Sequence, residues 1–260
     1  MELGISIDAQ DGAKAIPLLD HWSDMLHHVQ FYLNANLSLE DVLSIRAVVD
    51  SFRTHFSYSL HAYGYLNPAE ENHRVRAAWI EVGKESINFL SDIGGKFINF
   101  HIGYTLSSSC SREKMLFNAL ESITTLCEYA ASKRINIHVE NDYSSHHIQR
   151  LGDRIGDIQF FLRHRPHNLY LCFDIGHANI SFPSPLVYQE MLGAVQSFHI
   201  HNNSGVNDEH LPIGGPGTVD LVALYHHLVE LPNIYGILEN DFGGYSAGLK
   251  FIKENFSKIG

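Results

Sequence analysis

The stretch Leu169-Tyr-Leu-Cys-Phe-Asp174-Ile-Gly-His177-Ala178 runs apolar and then stops on an acid, a glycine and a histidine. A short apolar run bounded by turn residues reads as a buried strand, and this one delivers a metal-ligand type at its C-terminal end. The same design recurs in Phe56-Ser-Tyr-Ser-Leu-His61, Phe97-Ile-Asn-Phe-His101, Ile135-Asn-Ile-His-Val-Glu140, Val195-Gln-Ser-Phe-His199 and Ile234-Tyr-Gly-Ile-Leu-Glu239. Six strand ends thus carry His61, His101, Glu140, Asp174, His199 and Glu239. In a closed parallel barrel all strand ends converge on one face, where such folds keep their chemistry.

Between these runs the apolar spacing is helical. Ser38-Leu-Glu-Asp41 has the form of a capping box, with Val42, Ile45, Val49 and Phe52 following on one face. Val75, Trp79, Val82, Phe89 and Ile93 mark a long helix stopped by Gly94-Gly95, and Leu116, Leu120, Ile123 and Leu126 mark another. Further helices are expected near 16–25, 147–162, 185–192 and 221–231, with short strands at 3–7 and 29–33. Eight strands alternating with helices predict a single (β/α)8 barrel, and 260 residues is the usual size for one such domain spanning 1–260. An open doubly wound sheet is the second choice, but no glycine-rich phosphate-binding turn supports it.

Composition narrows the function classes. No run reaches the roughly 18 to 20 apolar residues of a membrane helix, and the start Met1-Glu-Leu-Gly-Ile-Ser-Ile-Asp8 has no basic, then apolar, leader pattern. Three widely spaced cysteines, Cys110, Cys127 and Cys172, argue against a disulfide framework and for a reducing cytoplasm. A formal net charge of −11 without a Lys/Arg cluster disfavours nucleic acid as a partner, though it does not exclude it. A homo-oligomer is compatible with the composition. No GxSxG elbow points to a serine nucleophile.

Glu140, Asp174, His199 and Glu239 would make an oxygen-rich site for Mn, Mg, Fe, Co or Zn, because carboxylates cluster cheaply only around a cation. Their bland alternative, polar residues hydrogen-bonded at a barrel mouth, suits any one of them better than all of them. Around this set stand His177, Asp208 and His210, the last two before the shaped loop Leu211-Pro-Ile-Gly-Gly-Pro-Gly-Thr-Val-Asp220. Alone, His177 could cap a helix and Asp208 and His210 could be solvated. Tyr63, Tyr65 and Asn67, just after His61, are candidate contacts to a polar substrate.

Taken together, His61, Phe-His101-Ile-Gly, Val-Glu140-Asn, Phe-Asp174-Ile-Gly-His177-Ala, Phe-His199-Ile-His-Asn and Asp208-Glu-His210-Leu-Pro-Ile-Gly-Gly-Pro-Gly resemble the xylose-isomerase-like barrels. That superfamily includes sugar isomerases, sugar epimerases and the endonuclease IV group. In its epimerase branch the resemblance implies one divalent metal on Glu140, Asp174, His199 and Glu239, with Glu140 and Glu239 doubling as acid and base. His177 would touch substrate hydroxyls. The chain departs from the ketose 3-epimerases at His146, where they carry a further glutamate, and at Gly205, where they carry an arginine. In the endonuclease IV branch nine positions match metal ligands, namely His61, His101, Glu140, Asp174, His177, His199, Asp208, His210 and Glu239, implying three zinc ions.

The expected activity is therefore isomerisation or epimerisation of a small polyhydroxy carbonyl compound, with proton transfer through a metal-stabilised enediolate. The alternatives are a zinc phosphodiesterase acting on abasic DNA and a non-catalytic metal- or metabolite-binding barrel. A shared metal requires Glu140 and Glu239 to lie within about 10 Å of each other, since ligand oxygens sit roughly 2 Å from the ion.

Overall fold

The computed structural model describes residues 1–64, 67–105, 110–145 and 148–256, so Tyr65 and His146 lie outside the described residues. In chain order the elements are β1 (Glu2–Asp8), α1 (Gly12–His21), β2 (His28–Tyr32), α2 (Leu39–Ser51), β3 (Ser57–His61), α3 (His73–Asp92), β4 (Phe97–His101), β5 (Tyr104–Thr105) and α4 (Arg112–Ala131). There follow β6 (Asn136–Glu140), β7 (Gln149–Arg150), α5 (Ile155–His164), β8 (Leu169–Asp174), α6 (Ile175–Ser181), β9 (Val195–Ile200), α7 (Leu221–Val229), β10 (Tyr235–Leu238) and α8 (Tyr245–Phe256). Eight strands close into a parallel barrel in the order β1-β10-β9-β8-β6-β4-β3-β2. The remaining two, β5 and β7, form a small antiparallel ribbon at the mouth.

The barrel strands are not simple apolar runs. They alternate, and the polar half of each pattern points into the barrel. Contacts between strands that are not neighbours establish this: His138 Nδ1 meets Ser197 Oγ at 2.8 Å from β6 to β9, and Phe97 of β4 stacks on His28 of β2. Their apolar partners, among them Ile98, Phe100, Ile137, Val139, Leu171 and Phe173, face outward into the main core under the helices. Both halves are buried, so the strands look nearly as apolar as ordinary barrel strands until the period of two is counted.

Helix ends follow the chemistry of their caps. Ser38 Oγ accepts from Asp41 N at 3.1 Å while Ser38 N donates to Asp41 Oδ2 at 2.8 Å, closing the capping box that starts α2. Past the end of α3, Gly94 takes the left-handed conformation, φ 75°, and turns the chain into β4. Three expectations shift. Helix α1 starts at Gly12 rather than near Ile16, because Ala13 N is capped by Ser44 Oγ at 3.0 Å. The helix expected from about 147 begins only at Ile155, since β7 and Gly152 (φ 95°) occupy the intervening chain. Residues 185–191 form a 3-10 helix instead of an α-helix, with Ser184 Oγ accepting from Leu186 N.

His28 illustrates how the polar interior is kept neutral. Its ring nitrogens each meet a serine hydroxyl at 2.7 Å, Ser57 and Ser59, and burial pushes its pKa down to about 3. In the unfolded chain the same group titrates near 6.5. Between pH 6.5 and about 3 the unfolded state therefore binds the extra proton, so stability present above pH 6.5 is lost as pH falls. The expected slope from this one group is about 1.4 kcal/mol per pH unit. Urea denaturation at stepped pH should show a shallower acid decline in His28→Asn than in the wild type. Equal declines would show that His28 is not the group responsible.

Candidate metal centre

The sequence delivers Glu140, Asp174, His199 and Glu239 to one place because each lies at or next to the C-terminal end of a barrel strand, β6, β8, β9 and β10. They meet at a single nitrogen. His199 Nδ1 is 3.1 Å from Glu140 Oε1, 3.3 Å from Glu239 Oε2 and 3.8 Å from Asp174 Oδ2. The two glutamates thus face each other across one atom, well inside the roughly 10 Å that a shared ion allows. Glu140 is fully buried and also receives Asn99 Nδ2 and, at 3.2 Å, His61 Nε2. Asp174 caps α6, its Oδ1 accepting from His177 N at 2.6 Å. Asn141 clamps the backbone of Asp174 in both directions, at 2.8 and 2.9 Å.

A histidine-rich cluster adjoins this set. His177 Nδ1 lies 2.9 Å from the carbonyl of Asn141 and His210 Nδ1 lies 2.9 Å from the carbonyl of Glu239, so both must donate there. Each then presents Nε2 to the same oxygen, Asp208 Oδ2, at 3.3 and 3.1 Å. His61 repeats the arrangement, with Nδ1 on the carbonyl of Ala62 at 2.9 Å and Nε2 on Glu140. An imidazole whose proton is held by a carbonyl offers a lone pair on its other nitrogen, and a lone pair facing a carboxylate needs a cation or a proton between them. His210 holds its position in the left-handed region, φ 49°, a strained backbone for a non-glycine residue.

The electrostatics match this crowding. Burial alone would raise the Glu140 carboxyl, but the imidazoles of His199 and His101 outweigh it and hold it well below the usual range. Burial likewise opposes the charged form of His210, yet the hydrogen bond to Asp208 and the field of Glu239 lift it to about 9. His177 is raised well above its ordinary value against burial by Asp174 and Asp208, and Asp208 is correspondingly depressed, chiefly by His177. Two buried carboxylates, Glu140 and Asp174, and the partly exposed Glu239 converge on one imidazole nitrogen, a donor set that fits a divalent cation.

The sixth strand-end residue takes a different partner. His101 Nδ1 lies 3.2 Å from Asp142 Oδ2, and Asp142 is gripped by Arg150 Nη1 at 3.2 and 3.3 Å. Asn67 spends its amide on the backbone of Tyr104 and Ala69, bracing the mouth loops. Above the centre lies a cavity of about 340 Å³, walled by His101, Tyr143 and Arg150 on one side and Asp8, Phe242 and Tyr245 on the other. That size is at the small end of ligand pockets.

Several site residues escaped the sequence reading. His201 stood inside the quoted Phe-His-Ile-His-Asn run, and the period of two puts it on the same inner face as His199. Asn99 carried the same signal two places before His101. Asp142 and Arg150 gave none, because their meeting depends on the β5–β7 ribbon.

Comparison with known proteins gives the lineage. A model of the xylose isomerase-like TIM barrel family matches residues 10–255. The uncharacterized protein MJ1311 of Methanocaldococcus jannaschii is 29% identical over 177 residues, 64% of this chain, and the match spans only 57% of that relative's length. Among solved structures, a D-tagatose 3-epimerase-like protein superposes with a TM-score of 0.83 at 22% identity, covering 100% of this chain and 98% of the other. The D-allulose 3-epimerase from Methylomonas sp. gives 0.77 at 18% identity, covering 98% of each. At such identities the structures speak for the fold, while the family match covers nearly the whole chain. With its closed eight-stranded barrel and its ligand types gathered at the strand ends, the chain belongs to the xylose isomerase-like TIM barrel family.

Proposed function

We propose that this protein is a divalent-metal-dependent isomerase or epimerase of a small, uncharged polyhydroxy carbonyl compound. The observation that carries this reading is the convergence of Glu140 and Glu239, from strands separated by two others, on His199 Nδ1. Glu140, Asp174, His199 and Glu239 would hold the ion. Bound there, a Mn, Mg, Co, Fe or Zn ion supplies Lewis-acid polarisation of a substrate carbonyl, which acidifies the neighbouring C–H.

The proton itself is moved by the chain. Glu239 lines the cavity and keeps its side chain 13% exposed, so it can reach a carbon next to the carbonyl. Glu140, held by Asn99 and His61, stays ionised and would serve the opposite face. The names of the structural neighbours, a D-tagatose 3-epimerase-like protein and a D-allulose 3-epimerase, fit this chemistry. So does the mouth, where Asp8, Asp11, Asp208 and Asp241 face the cavity. Among the described residues Arg150 is its one Lys or Arg, and Asp142 already pairs with it. Like charges across such a mouth disfavour phosphorylated ligands.

No helix among the described residues is long and apolar enough to cross a membrane. All three cysteines are free, which suits a reducing cytoplasm. Incubation with a panel of ketoses and aldoses, free and phosphorylated, in deuterated water, with metal added, should place deuterium on the carbon next to the carbonyl of at least one unphosphorylated member. No incorporation across the panel would overturn the proposal.

One observation favours a second reading, a multi-zinc phosphodiesterase: His177 and His210 both aim Nε2 at Asp208, beside the carboxylate set. Incision of abasic duplex DNA at catalytic protein levels would establish it. Failure to bind DNA even at low salt would sink it.

A further inference from the structure

His201 is buried between the two halves of the centre. Its Nε2 lies 3.2 Å from both oxygens of Asp174 and 3.6 Å from Asp208 Oδ1, a buried oxygen that accepts no hydrogen bond. The ring stacks flat on His210, with centroids 4.1 Å apart and planes 6° from parallel. The chain makes room for it at Gly176, where a Cβ would fall 1.9 Å from His201 Cε1. Any larger residue at position 176 would displace the imidazole.

Its nitrogens are used the other way round from those of His61, His177 and His210. Those three place Nδ1 2.9 Å from a carbonyl and leave Nε2 as a lone pair. His201 Nδ1 is 3.5 Å from the carbonyl of Asn202, at the edge of a hydrogen bond, while Nε2 has the closer partner in Asp174. The shorter contact takes the proton, so His201 donates to a carboxylate and offers the centre no lone pair there. Its nitrogen is near enough to Asp174 and His177 to join them around an ion, but as a donor it would not.

We propose that His201 is a positioning residue: it fixes the Asp174 carboxylate for the metal centre and, through its stack on His210, ties that centre to the Asp208 cluster. This rests on the metal reading above. Asp174 has little else to set its rotation, since the cap to His177 N uses Oδ1 alone and the far oxygen must be turned toward His199. Removing a partner that orients a ligand typically weakens metal affinity 10- to 100-fold.

The test uses metal-free full-length protein titrated with Co²⁺ by calorimetry and visible absorption, for wild type, His201→Ala, His201→Phe and His201→Gln. Phe preserves the stack without a donor; Gln preserves a donor without the stack. Thermal melts of the metal-free proteins show which variants fold, and the Phe and Gln pair decides the matter if Ala does not. The expected result is that Co²⁺ affinity falls about 10- to 100-fold in Ala and Phe, with an altered spectrum, and is largely recovered in Gln. Wild-type affinity in Phe, or equal losses in Phe and Gln, would overturn the proposal while leaving the metal reading standing. A wild type that takes up no Co²⁺ overturns both.

Discussion

Replacing Glu239 by glutamine is expected to lower kcat by about 10²- to 10⁴-fold, the range lost when a positioned general base is removed. The substitution keeps the shape of the side chain and deletes its charge. Its structural cost is small, because the Glu239 side chain keeps contact with the cavity and its closest charged neighbour is His199 Nδ1 at 3.3 Å. The same change at Glu140 would be a poorer test. That carboxylate is fully buried against Asn99, His61 and His199, so an amide there would break hydrogen bonds and ion pairs that have no solvent to replace them. Turnover and deuterium exchange of Glu239→Gln should be measured at saturating metal, which separates lost base from lost ligand. A loss smaller than tenfold would remove Glu239 from the acid–base role and favour a barrel that binds without catalysing.

Metal removal should have the second large effect. Stripped of a cation, Glu140, Asp174 and Glu239 face one imidazole, and Asp208 faces two. A ligand present at about a thousand times its Kd stabilises the folded state by about 4 kcal/mol, or about 8 to 16 °C in Tm for a chain of this size. Chelation followed by a thermal melt checks this, and re-addition of metal should restore the loss. Elemental analysis then distinguishes one ion from three. With one ion on the carboxylate set, His61→Ala and His101→Ala should each retain a metal content near one and show a raised KM or lowered kcat. With three zinc ions the wild type should carry about three, and both variants should lose metal, since both residues would be ligands. The second outcome would make the phosphodiesterase reading the better one.

The fold was legible because each strand announces its own end. Phe97-Ile-Asn-Phe-His101 and Ile135-Asn-Ile-His-Val-Glu140 place a ligand type where the apolar pattern stops, and repetition around a closed barrel does the rest. A reading of apolar runs smooths over the alternation itself. Asn99, His138 and Ser197 look like interruptions in apolar strands, whereas they are the inner face, His138 bonding Ser197 across the barrel and Asn99 bonding Glu140 on the next strand. The same oversight hid His201, one alternation beyond His199. Asp142 and Arg150 were beyond reach for another reason. Two-residue strands such as β5 and β7 have no periodicity to detect, and only their pairing brings Arg150 onto Asp142 and Asp142 onto His101.

The barrel closes where β1 is inserted between β2 and β10, pairing Glu2 with Tyr235 from opposite ends of the chain. This seam sets an order of assembly. Strands β6, β8 and β9 are successive and adjacent, so Glu140, Asp174 and His199 can be gathered by pairings that span modest loops. Glu239 follows β10, which must dock on β9 and on β1, the strand pairing of greatest sequence separation among the described residues and the costliest in loop-closure entropy. On the proposed reading, Glu140, Asp174 and His199 are gathered by shorter-range pairings than Glu239, the proposed acid–base group, which is placed only by the strand that closes the barrel. The proposed proton transfer therefore requires a closed barrel and not merely its strands.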